Sequence, residues 1–245
     1  MLDLLRGEIR KLVTTRTPLA LLIGAVTVVA LGTSSTVMSV EPGKLTGSVH
    51  DQMFYFLASI SLGVFAVIVG IRGFSDEFRH GTIISTVLTH PSRRRVFVAK
   101  SVSAVLASTV MTVVALTAMV GLGTALAGVK EGQISLTPGD LAAFAGLVTG
   151  MAAWAIIGTA LGAIIRHQVA AIVGGLVWVL VVENMASGFL REAARFTPGQ
   201  AVHALADVTQ ASNLSSLPIA AATLTVYIVA TIGLATVTFQ RRDLI

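Results

Sequence analysis

The sequence predicts an all-α membrane protein with six spanning helices. Three observations carry this. First, 54% of the 245 residues are hydrophobic and only 12% are charged, with a mean hydropathy of +0.86; a soluble domain carries about a quarter charged residues. Second, Asp, Glu, Lys and Arg are absent from Thr17 to Val40, Gln52 to Ile71, Ser101 to Val129, Leu141 to Ile165, His167 to Val182 and Val208 to Gln240. A helix crossing the hydrocarbon core needs about 20 apolar residues. Third, these runs lack the period-two alternation of barrel strands, so a helix is left as the way to satisfy every backbone donor and acceptor in lipid.

Residues 2–16 come first. Leu2, Leu5, Ile9, Leu12 and Val13 share one helical face, while Arg6, Glu8, Arg10 and Lys11 fall largely elsewhere. This pattern predicts an amphipathic helix lying on the membrane surface. Pro18 suits a break before the first span. Spans are expected at about 17–40, 52–71, 101–127, 141–165, 168–187 and 217–239, all in one transmembrane domain. The fifth reaches full length only by passing Glu183. The link at Arg166 to Gln168 is so short that spans four and five must be antiparallel neighbours. Gly146, Gly150, Gly158 and Gly162 form a small-residue stripe on span four, a device for close helix approach, here read as packing within the chain. In the segment 188–216, Phe189, Leu190, Ala193 and Phe196 share a face. Thr197 to Gly199 then break the chain, and Val202, Leu205 and Val208 resume at spacing three. Two short helices dipping back into the membrane fit this pattern.

A pI of about 10.2 and a net charge of +5 invite a nucleic-acid reading. Placement excludes it. With both termini in the cytoplasm, 13 of the 17 Lys and Arg fall inside, and only Lys44, Lys130, Arg191 and Arg195 fall outside. That is the positive-inside bias of a multi-pass protein of the cell membrane. The chain has no cysteine, so disulfides and thiolate metal sites are excluded.

The densest charge lies between spans two and three, in "GFSDEFRHGTIISTVLTHPSRRRVFVAK" (Gly73 to Lys100). Topology alone needs the three arginines but neither Asp76 nor Glu77. Both signs of charge, with Phe78 and the apolar Ile83, Ile84 and Val87, read as a docking surface for a cytosolic partner. The segment 73–92 is expected to be helical up to Pro91.

"EFRHGTI" followed by "HPSRRRVFVAK" resembles the ABC-2 type permeases of ATP-binding-cassette transporters. "LRGEIRKLVTTRTPLALL" (Leu5 to Leu22) is similar to that family's opening, and "FQRRDL" (Phe239 to Leu244) to its ending. The resemblance implies a non-enzymatic transport subunit that pairs with a second permease, a copy or a paralogue, through spans one and five. It also implies a separate cytosolic ATPase that binds ATP and Mg²⁺. Asp76, Glu77, Phe78, Arg79, His80, Gly81 and Thr82 would form the coupling helix against that ATPase, and the N-terminal helix would touch it too. The re-entrant helices before span six would close the outer end. No GxxxxGK[ST] phosphate loop is present, so ATP hydrolysis would fall to the partner, and this chain would hold no cofactor. The implied activity is export. Spans rich in Ala, Val, Leu and Gly suit an apolar or amphipathic cargo, such as a drug-like molecule, as in multidrug export, a lipid or an antimicrobial peptide.

Glu183, with Asn184, is a candidate gating or substrate site, since an ionisable residue within a span is costly unless used. The rivals are three. An ion-coupled secondary transporter would bury more ionisable groups at mid-membrane. An intramembrane hydrolase could be imagined from Ala186 to Gly188 with His203, but HExxH and GxSxG are missing. A non-transporting membrane subunit that recruits or senses shares the same composition.

Overall fold

In the computed structural model, residues 2–40, 47–89, 92–130, 138–206 and 216–241 are described, and among them there are helices and no strands. The order is α1 (Leu2–Thr14), α2 (Arg16–Ser39), α3 (Gly47–His80), α4 (Ile83–Thr89), α5 (Arg93–Val129), α6 (Pro138–Ile165), α7 (Gln168–Val177), a π-helical turn (Trp178–Val182), α8 (Glu183–Phe189), α9 (Arg191–Ala194), α10 (Pro198–Leu205) and α11 (Leu217–Arg241). Five helical segments are long and apolar enough to cross a membrane: Arg16–Ser39, Arg93–Val129, Pro138–Ile165, Gln168–Phe189 and Leu217–Phe239. This is consistent with a multi-pass membrane protein. The second expected span, 52–71, lies inside the 34-residue α3.

The helices α3 and α6 form the centre, flanked by α2, α5, α7 and α11. Glycines explain how closely α3 and α6 meet. A Cβ at Gly158 or Gly162 would lie 2.4 Å from the carbonyl oxygen of Val67 or Ile71, and one at Gly70 would lie 2.1 Å from that of Ala155. The backbones touch, with no room for a side chain between them. Gly146 and Gly150 complete the stripe against α10, facing the Leu205 carbonyl and the Val202 side chain. The stripe therefore serves packing within the chain. Leu62, Val67, Ile71, Leu147, Met151 and Trp154 fill the core around it. Large apolar side chains such as Leu31, Val110, Val173 and Val229 face outward, as lipid contact allows and water would not.

Several boundaries differ from the expected ones. The break before the first span is at Thr15, in extended backbone (φ −93°, ψ 146°), and Pro18 sits inside the first turn of α2. There the missing proline N–H costs nothing, because first-turn donors have no helical partner. The fifth span is not one regular helix, because the π-helical turn interrupts it just before Glu183. The expected coupling segment 73–92 is divided: residues 73–80 are the last turns of α3, and only Ile83–Thr89 form a separate helix. Pro91 lies outside the described residues. Thr197 accepts from the Gln200 N–H (3.5 Å) and Pro198 opens α10, so "TPG" is a helix start as well as a break. Val208 lies outside the described residues.

Candidate functional site

At the end of the molecule where Arg72 to Arg95 gather, four charges from three helices alternate in sign. Lys11 of α1 donates to Glu8 at 2.9 Å and to Glu77 of α3 at 2.6 Å. Lys100 of α5 reaches the same two carboxylates, at 3.1 Å and 2.7 Å. Its ammonium also donates to the Gly73 carbonyl at 2.8 Å and sits 5.4 Å from the centre of the Phe74 ring. Lys100 is 1% exposed, Glu77 6% and Glu8 7%. Unpaired, such buried ions would cost several kcal/mol each. Two carboxylates and two ammoniums make a neutral closed ring, so each charge has two opposite neighbours. Burial pushes the Glu77 carboxyl upward, but Lys100 and Lys11 outweigh it and hold it below its ordinary value. Burial likewise pushes the Lys11 ammonium down, and Glu77 and Glu8 outweigh it and raise it.

The helix α1 docks onto α5 through this ring and through Leu4, packed on Val96 and Ala99. At 100° per residue, Leu4, Glu8 and Lys11 make one stripe, with the apolar arc of Leu5, Ile9 and Val13 beside it. Val13 remains 81% exposed. Around the ring, Phe74 packs with Phe78, Phe97 and Phe239 at centroid distances of 6.3, 5.7 and 5.3 Å. Arg93 donates to the Phe239 carbonyl at 2.5 Å, tying the end of α11 to the start of α5.

The proposed docking residues divide into two groups. Glu77 faces inward, in the ring. Asp76 is half-buried, accepting from Arg72 (2.6 Å) and from Gln168 of α7 (2.7 Å). Phe78 packs beside Phe74, with the Arg166 guanidinium 5.4 Å from its ring centre. Arg79, His80, Gly81 and Thr82 are exposed, and Arg79 also donates to Gln168 at 3.0 Å. Gly81 has a left-handed backbone (φ +67°). The Thr82 N–H returns to the Glu77 carbonyl at 3.0 Å and the Gly81 N–H to that of Phe78 at 3.4 Å. These two bonds make a Schellman stop that ends α3 and turns the chain into α4. On α4, Ile83 is buried, whereas Ile84 and Leu88 are exposed.

Glu183 lies at the opposite end. Its carboxylate is 7% exposed and accepts from the Gly199 N–H at 2.9 Å and the Trp178 indole N–H at 3.2 Å. A Cβ at Gly199 would lie 1.4 Å from the second carboxylate oxygen. Glycine is the residue that lets α10 present its first turn to the acid, a position that favours negative charge. Asn184 is not part of this contact. It is exposed and donates to the Leu180 carbonyl of its own helix at 2.8 Å. Lys130 donates at 2.8 Å to the carbonyls of both Met38 and Val40, joining the ends of α2 and α5.

A family model described as a protein of unknown function (DUF2705) matches residues 22–245. The chain belongs to the DUF2705 family. No curated protein matches it. In this DUF2705 chain, sequence reasoning reached Glu77 and Glu183 but missed what holds them. Lys100 counts as one more positive-inside charge in the sequence, yet it stands seven residues into a helix that carries no further charge until Lys130. Glu8 and Lys11 are spaced for one helical face, a signal that could have paired them. The contact of Gly199 with Glu183 has no such signal. Among the described residues, no group of three His, Asp or Glu is placed to hold a metal.

Proposed function

We propose that this chain is the transmembrane permease subunit of an ATP-binding-cassette exporter, with α3 as the sixth span. Both termini and the charged end then face the cytoplasm. A separate ATPase binds ATP and Mg²⁺ and drives export of an apolar or amphipathic cargo. The observation that carries this reading is the short helix α4. It stands beyond the end of α3, with Ile84 and Leu88 exposed. Its base is the Gly81 turn, whose Thr82 N–H bonds the carbonyl of Glu77, and Glu77 is held in the buried ring with Glu8, Lys11 and Lys100. A push on α4 would therefore be transmitted to α1, α3 and α5 together. That is what a coupling element requires if ATP binding to a partner is to shift the spans between two states. In this reading Arg79, His80, Gly81, Thr82 and the exposed face of α4 meet the ATPase, while Asp76, Glu77 and Phe78 act as the brace behind them. Spans one and five (α2, and α7 to α8) form the seam with a second permease, and α9 and α10 dip into the outer leaflet. Glu183 then serves gating, by holding α10 against the fifth span.

The test is copurification of the tagged chain from membranes with an ATPase encoded beside it. Wild type retains the ATPase, and Ile84→Asp with Leu88→Asp releases it while leaving the melting temperature of the permease unchanged. Retention of the ATPase by the double variant would remove α4 from the interface.

A further inference from the structure

A cleft of about 420 Å³ opens between α1, α2, α3 and α5, beside the buried ion ring. Pro18, Leu21, Val69 and Ala104 give it an apolar lining, and Lys11 and His80 are its exposed basic members. The neighbouring surface of α1 and α2 exposes Ile9, Val13, Leu19 and Ile23. Greasy residues around the opening place it where a span leaves the bilayer, so the membrane is the phase next to the cleft. The carboxylates at this site already have partners: Glu8 and Glu77 hold Lys11 and Lys100, and Asp76 holds the Arg72 cation and accepts from the Gln168 amide. Lys11 spends two of its three N–H donors on the ring, its side chain is 52% exposed, and His80 is exposed at the rim. What remains on offer is hydrogen-bond donation from the exposed Lys11 and His80, beside an apolar lining.

We infer that this cleft is a binding site for a phosphate-headed membrane lipid. The phosphate takes the third Lys11 proton and the His80 edge, and an acyl chain lies along Leu21, Val69 and Ala104. The site is formed within one chain, although α2, which lines it, also belongs to the permease seam proposed above. It needs no ATPase, so its failure and the failure of the transport reading are separate results.

Gly73 supplies the sharp variant. It lines the cleft, and a Cβ there meets no atom within 4 Å. Gly73→Leu therefore fills the space with all four ring members in place. Lys11→Gln removes the donor and leaves Lys100 to hold both carboxylates. Native mass spectrometry of the purified chain in detergent would be titrated with dilauroyl phosphatidylglycerol, with dilauroylglycerol and with inorganic phosphate. The expected result is one phosphatidylglycerol per chain. Binding should be about tenfold weaker in each variant, the loss that one charge-assisted hydrogen bond or the blocked space would bring. Dilauroylglycerol, which lacks the phosphate, should bind wild type more weakly than phosphatidylglycerol does, and Lys11→Gln should leave that weak binding unchanged. Equal phosphatidylglycerol binding by wild type and Gly73→Leu would overturn the site. Competition by inorganic phosphate at concentrations equal to the lipid would overturn the lipid as occupant in favour of a free anion.

Discussion

The two ends of the molecule each bury carboxylates, and they solve the cost differently. At the charged end Glu8 and Glu77 are matched by Lys11 and Lys100, ion for ion. At the opposite end Glu183 has two neutral N–H donors, from Gly199 and Trp178. A closed ion ring is stiff, since moving one helix separates charges in a poorly screened setting. An acid held by a backbone N–H and an indole can let go at lower cost, because hydrogen bonds to a charged group contribute about 1.5–3 kcal/mol each, against about 3–5 kcal/mol for breaking a buried ion pair. The difference suits a charged end that moves as a block and an opposite end that opens.

Substitutions can break this comparison at either end. The largest effect is expected from Lys100→Met, which leaves Glu8 and Glu77 buried with one shared cation. It should destabilise the chain by about 3–5 kcal/mol, read as a lower melting temperature in detergent. Adding Glu77→Gln should recover most of the loss, and no recovery would mean that Lys100 matters for packing alone. Gly199→Ala comes next. Its methyl would overlap Glu183, costing about 1–3 kcal/mol. Glu183→Ala should suppress that loss in a double-mutant cycle, and additive losses would place the strain elsewhere. Gly81→Ala should cost about 1 kcal/mol, because its left-handed backbone disfavours any Cβ even where space is open.

The smallest effect is pH dependence. Glu77 lies beyond the second expected span and has a lowered pKa, so its share of stability is full above 4.5, its ordinary value, and is lost as pH falls through the lowered one. Lys11 has a raised pKa, so its share is full below 10.5 and is lost as pH rises through the raised one. Melting temperature should be flat with respect to these two groups between those limits. In Glu77→Gln the acid-side fall should shrink.

The helical architecture was legible because composition and run length depend only on the solvent the chain must face. The glycine stripe was legible for a similar reason: spacing of four on one helix needs a close neighbour, and α3 and α10 are those neighbours. The charge cluster was found, but its orientation was not. Asp76 and Glu77 look like surface charge in a stretch with three arginines. Their inward turn depends on Lys100, Lys11 and Gln168, which come from three other helices. Periodicity describes one helix at a time and cannot report such pairings. The same limit hid Gly199, sixteen residues from Glu183 across two helix breaks.

The absence of cysteine makes one measurement direct. Leu88→Cys on α4 and Glu192→Cys on α9 each introduce a single exposed thiol, one at each end of the molecule. Membranes carrying either variant with the ATPase proposed as its partner would be treated with a short thiol-to-amine crosslinker. A permease–ATPase adduct from Leu88→Cys, strengthened or weakened by ATP, with none from Glu192→Cys, is the predicted result. An adduct from neither thiol, or from Glu192→Cys alone, would contradict the assignment of α4 as the coupling element.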